Sequence, residues 1–121
     1  MSQQDISQQL HEVARQDWHR FFDGLTREHA GHIATIEVLD NDFGDELEAE
    51  RMPLAYIEYD PKDDMVNVAV GGRDGRYPVV LRHQVEHPRT IRSDQQLPQV
   101  SWAFDITDAE NGHTFVTLFA E

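Results

Sequence analysis

Apolar residues recur at helical spacing near the amino end of the chain and at a spacing of two over most of its remaining length. Ile6, Leu10, Val13, Phe21 and Leu25, with Ala14, Trp18 and Phe22 beside them, form one stripe and predict a helix over residues 7–28. Asp5 is placed to cap its start. Gly31, following His29 and Ala30, suits the left-handed conformation that closes many helices. From His32 the period shortens: Ala34, Ile36 and Val38 alternate with Thr35 and Glu37, as in a strand half exposed to solvent. A second strand is expected over residues 54–59. Between the two, residues 40–50 hold six carboxylates and no cation, which predicts a solvated loop or irregular edge. Pro53 argues against a central strand that begins any earlier.

Asp60, Pro61, Lys62, Asp63 and Asp64 are turn chemistry, because proline presets the backbone and aspartates bond nearby amides. Val66, Val68 and Val70 form the next inward row, Arg73, Asp74 and Gly75 a second reversal, and residues 77–83 a returning strand. The continuation through Val85 and Glu86 fits helix or strand. His87 and Pro88 end it, and residues 89–99 are expected to be a loop with a loosely held extended segment at Ile91. Val100, Trp102, Phe104 and Ile106 then alternate with polar or small residues, residues 108–112 turn, and residues 114–120 return. The expected fold is α+β: an N-terminal helix on one face of a five- to six-stranded, mainly antiparallel sheet built from hairpins, one domain over residues 1–121 with residues 1–6 frayed.

Charge changes the picture. Lys and Arg together number 10 against 23 Asp and Glu, a formal net charge of −13, and Lys62 is the single lysine. Self-repulsion of that size weakens as added salt shortens the Debye length, so the composition suits a halophilic or salt-rich setting. Against this background Arg73, Arg76, Arg82, Arg89 and Arg92 face only Asp74 and Glu86, which makes one cationic strip in an anionic chain. A net charge this negative argues against nucleic acid as a partner. The chain has no cysteine, which excludes disulfides and thiolate chemistry. No secretory pattern opens the sequence and no apolar run approaches ~18 residues, so membrane partners are not expected and the expected location is cytoplasmic.

The stretches Phe21-Phe22-Asp23-Gly24-Leu25-Thr26, Ala34-Thr35-Ile36-Glu37-Val38-Leu39-Asp40, Leu54-Ala55-Tyr56-Ile57-Glu58-Tyr59-Asp60-Pro61 and Gly71-Gly72-Arg73-Asp74-Gly75-Arg76-Tyr77-Pro78 resemble an uncharacterised family of small prokaryotic proteins, a domain of unknown function. The similarity runs from about Trp18 to Ile91, and its most specific part is the glycine-arginine turn followed by Arg82 and His83. The resemblance implies one small domain and transfers no activity.

Candidate chemistry is sparse. His83 and His87 are four apart, which suits a metal pair, but Gln84 stands where a zinc-protease glutamate belongs. A third ligand from His11, His19, His29, His32, His113 or a carboxylate is not nominated by spacing. Asp40, Asn41 and Asp42 suggest a calcium loop, yet the required glycine falls at Asp45 and the terminal acid at Arg51. Arg73, Arg76 and Arg82, with the amides of the Gly71-Gly72 turn, suit a phosphate or carboxylate, the guanidinium fork being made for such anions. The same arginines also suit the carboxylates of residues 40–50, within one subunit or across a dimer. Tyr56, Tyr59, Tyr77, Trp102, Phe104, Phe115 and Phe119 exceed what one helix covers on one sheet face. With no cofactor or nucleophile motif, the expected function is a non-catalytic binding or assembly module that meets a protein partner or a second copy of itself. The alternative is a small-anion-binding or metal-dependent enzyme built on the Arg73 to His87 strip.

Overall fold

The computed structural model describes residues 11–40, 44–71, 79–94 and 100–119. Eight antiparallel strands and one helix make up this part of the chain. In order they are β1 (His11–Glu12), a 3-10 turn (Arg15–Asp17), α1 (Trp18–His29), β2 (Ile33–Asp40), β3 (Gly44–Asp60), β4 (Met65–Gly71), β5 (Val79–Glu86), β6 (Pro88–Asp94), β7 (Val100–Asp108) and β8 (His113–Phe119). They form one sheet in the order β1-β6-β7-β8-β2-β3-β4-β5. The α+β class holds, with eight strands in place of five to six.

Two bends turn this order back on itself. The first half of β3 pairs with β2 and its second half with β4, and the change of partner falls between Pro53 and Leu54. Arg51 sits there at a φ of 54°, and the register slips on both sides of it, so β3 turns a corner where a proline can be accommodated. The second bend is His87, at a φ of 53°, the single residue between β5 and β6. β5, at one end of the strand order, therefore runs directly into β6, the strand next to the other end. The expected loop over residues 40–50 is corrected from Gly44 onward: it is the first half of β3, in which Glu46, Glu48 and Glu50 are exposed while Ala49 faces the core.

α1 lies across the inner face. Trp18, Phe22 and Leu25 are one turn apart on one stripe and are buried, each stabilising the fold by roughly 1.5–3 kcal/mol. Phe22 meets Phe104, Phe21 meets Trp102, and Trp18 meets Tyr59 edge-on. Ile36, Leu54, Ile57, Val66, Val68, Ile91, Ile106, Val116 and Leu118 complete the core. Beyond Pro53, β3 has lost β2 as a neighbour, and Thr26 of the helix covers the exposed edge. Its hydroxyl donates to the Ile57 carbonyl and accepts from the Ile57 N–H, both at 2.9 Å. Gly31, at a φ of 91°, closes the helix as expected and donates to the Leu54 carbonyl.

The helix is shorter than its apolar stripe. His11 and Glu12 pair with Ser93 and Arg92, the Val13 N–H donates to the Ile91 carbonyl, and Ala14 is extended. An apolar pattern at residues 6–14 is thus spent on a strand contact in its described part; Asp5 and the opening residues lie outside the described residues. The loop expected over residues 89–99 is likewise corrected at its start, where β6 pairs along β7 and buries Ile91 completely. The expected turns at residues 60–64 and 108–112 are present. Asp60 Oδ1 accepts from Lys62 N, and Asp108 Oδ1 accepts from Glu110 N and Gly112 N. The reversal at Arg73, Asp74 and Gly75 lies outside the described residues.

Candidate functional site

Where the sheet turns back at His87 it leaves a cleft of about 310 Å³. β5 supplies one wall with His83, Gln84, Glu86 and the bend residue His87; the β7–β8 turn supplies the other with Asp108, Ala109 and Glu110; Val38, Val85 and Thr114 line it from below. The Ala109 N–H donates to the His87 carbonyl at 3.0 Å and closes one end. Both histidines singled out by spacing therefore border the same cavity.

They have different partners. His83 points inward, with Nε2 3.3 Å from Thr114 Oγ1 and Nδ1 3.8 Å from Glu48 Oε1. Burial pushes its pKa below the ordinary histidine value, and Glu48 pulls partly the other way. The hydroxyl–imidazole–carboxylate order resembles a nucleophile relay, but Thr114 is buried, and the carboxylate is beyond the ~2.6–3.2 Å that proton transfer requires. The contact orients the imidazole and satisfies it. His87 is largely exposed, and its Nδ1 lies 3.3 Å from Asp64 Oδ2. Among the described residues no three His, Asp or Glu side chains are grouped to hold a metal ion.

Asp64 is the centre of a second cluster beside the cleft. Its Oδ1 accepts from the Tyr59 hydroxyl at 2.8 Å and from Arg15 at 3.3 Å, while Arg15 also donates to the Pro88 carbonyl and covers the Trp18 ring. The Asp64 pKa is held below its ordinary value, chiefly by the Tyr59 hydrogen bond, with burial opposing and His87 and Arg15 assisting. These contacts tie the first described turn to the β5–β6 bend.

Of the three candidate anion-binding arginines, Arg73 and Arg76 lie outside the described residues. Arg82 alternates with His83 along β5, so it leaves the opposite, exposed face and forms no ion pair with a described residue. The cleft lining has carboxylates at Glu86, Asp108 and Glu110 and neither arginine nor lysine.

One pairing has no signal in sequence spacing. His113 Nδ1 lies 3.0 and 3.1 Å from the two oxygens of the buried Asp105, and its ring stacks on Phe115. The two residues flank the 108–112 turn, and only the hairpin register, which sets Thr107 opposite His113, brings them together. Phe115 and Phe119 alternate with the buried Val116 and Leu118, so both leave the face opposite the helix, where Arg51 covers the Phe119 ring. Among the described residues no helix is long and apolar enough to cross a membrane.

No solved structure matches the chain. An uncharacterized protein of Aquifex aeolicus (strain VF5) is 26% identical over 98 residues, covering 81% of this chain and 81% of that protein. The model of a family of unknown function, DUF5335, matches residues 9–120, a span that contains every described strand and the whole lining of the cleft, and the chain belongs to that family.

Proposed function

We propose that this protein is a non-catalytic assembly module that pairs with a second copy of itself along β5. The observation that carries the reading is a self-complementary strand edge. Among the described residues β5 is hydrogen-bonded to β4 alone, and its register with β4 is regular from Leu81 to Glu86. A strand that long, without a bulge in this span, lysine or proline, is a template for pairing. Val80 near its start is 69% exposed. Antiparallel pairing of two copies about Gln84 sets Arg82 opposite Glu86 twice, all on the exposed face. Glu86 lines the acidic cleft, so the guanidinium of the second copy arrives where carboxylates are in surplus.

A charge of −13 on each copy opposes this contact at low ionic strength, so dimer formation should strengthen as potassium chloride is added. Sedimentation velocity on the wild type, Arg82→Glu, Glu86→Arg and the double variant tests the register. The expected result is a wild-type dimer, two monomeric single variants and a dimeric double variant. A wild type that stays monomeric at high protein and salt concentration refutes the function. A dimer indifferent to both single variants refutes β5 as its seam.

A further inference from the structure

We propose that His29 and His32 form a two-imidazole site for a divalent transition-metal ion of the zinc type. Their Nδ1 atoms are 3.3 Å apart. Tetrahedral zinc with Zn–N bonds of about 2.0–2.1 Å holds two ligand nitrogens about 3.3–3.4 Å apart, so the metal can replace the proton shared by the two rings without moving either nitrogen far.

The turn that presents them is fixed on both sides. His29 ends α1, the His32 N–H donates to the His29 carbonyl at 2.9 Å, Gly31 donates to the Leu54 carbonyl, and Leu54 donates to the His32 carbonyl, both at 2.8 Å. The pair is therefore preorganised on backbone rather than carried on a loose loop.

A second observation points to something bound here. The Trp102 ring lies 5.9 Å from the His29 ring, and its indole N–H is buried with no acceptor among the described residues. An orphaned donor beside two imidazoles suits the oxygen of a metal-bound water. The described residues supply two ligands, His29 and His32, with no group of three His, Asp or Glu among them, and water is the natural ligand for the remaining positions.

Zinc titration of the full chain by calorimetry at neutral pH tests the site, with copper quenching of tryptophan fluorescence as a second readout. The expected result is one zinc per chain, lost or weakened at least about tenfold in His32→Gln and in His29→Gln, since even outer-shell changes cost that much. The His83→Gln/His87→Gln variant should bind as the wild type does. His32 is only partly buried, so His32→Gln keeps the test valid if His29→Gln fails to fold. Absence of zinc binding by the wild type overturns the proposal, as does binding that survives both single changes or disappears with His83 and His87.

Discussion

Replacing Asp64 by Asn should destabilise the protein by about 2 kcal/mol near neutral pH, and the loss should vanish in acid. Asn keeps the size of the side chain and tolerates the φ of 51° that residue 64 adopts, so the substitution removes the charge and one of the two acceptor oxygens without disturbing the backbone. Hydrogen bonds to charged groups contribute about 1.5–3 kcal/mol when buried. Tyr59 is buried, but the Asp64 side chain is 36% exposed and water competes for it, which brings that bond down to about 1–2 kcal/mol. Arg15, at 56% exposure, adds no more than the ~0–1 kcal/mol of a surface pair. For a chain of this length about 2 kcal/mol corresponds to a fall in Tm of roughly 8 °C.

The pH dependence comes from the depressed folded-state pKa. On acidification the unfolded chain takes up the Asp64 proton first, so the wild-type advantage is complete above the ordinary aspartate pKa and is lost as pH falls through the lower, folded value. Thermal melts at about pH 7 and about pH 3 should show the gap between wild type and Asp64→Asn closing. Asp63→Asn, an exposed neighbour, controls for the removal of one negative charge, and a cycle with Tyr59→Phe should recover most of the coupling from that one bond. Equal melting of wild type and Asp64→Asn at neutral pH refutes the reasoning, as does a gap that persists unchanged in acid.

Two further outcomes are expected. Gly71 has a φ of 91°, and a Cβ there would come within 2.6 Å of Val80 Cγ2 and 2.7 Å of Val80 N; Gly71→Ala should therefore cost more than about 2 kcal/mol in urea unfolding, whereas an unchanged midpoint would remove the close approach of β4 to β5. His83 resists charging in the folded state, so stability should fall as pH drops from above the ordinary histidine pKa through the lower folded value, and His83→Gln should flatten the difference between urea midpoints at about pH 8 and about pH 5.5. A wild-type curve already flat over that range would contradict it.

The strands whose apolar residues alternate in sequence were legible: in β2 and β8 the period of two follows burial of one face, whereas β4, with the same alternation of valines, is buried on both faces. The carboxyl end of α1 was legible for the same kind of reason, its i, i+4 apolar spacing and Gly31. What escaped is held by partners far along the chain. Residues 88–94 contain one large apolar side chain, Ile91, and become a strand because β7 satisfies their backbone. Residues 44–50 look too acidic for a sheet, yet a strand with solvent on one face tolerates Glu46, Glu48 and Glu50 when β2 lies alongside. The same logic divides the site. The four-residue spacing singled out His83 and His87 as a pair, but that both border one cleft depends on the bend at His87, and the opposite wall comes from a hairpin about twenty-five residues later.

The pairing of β2 with β8 has a consequence for synthesis. The strand next after the helix waits for β8, six strands later among the described ones, so while the hairpins of β2 to β5 can close as they emerge from the ribosome, Phe104, Ile106, Val116 and Leu118 reach the nascent core only after them. Until then β2 carries an open flank, and a chain stalled or cleaved before residue 113 leaves that row of backbone donors and acceptors unpaired.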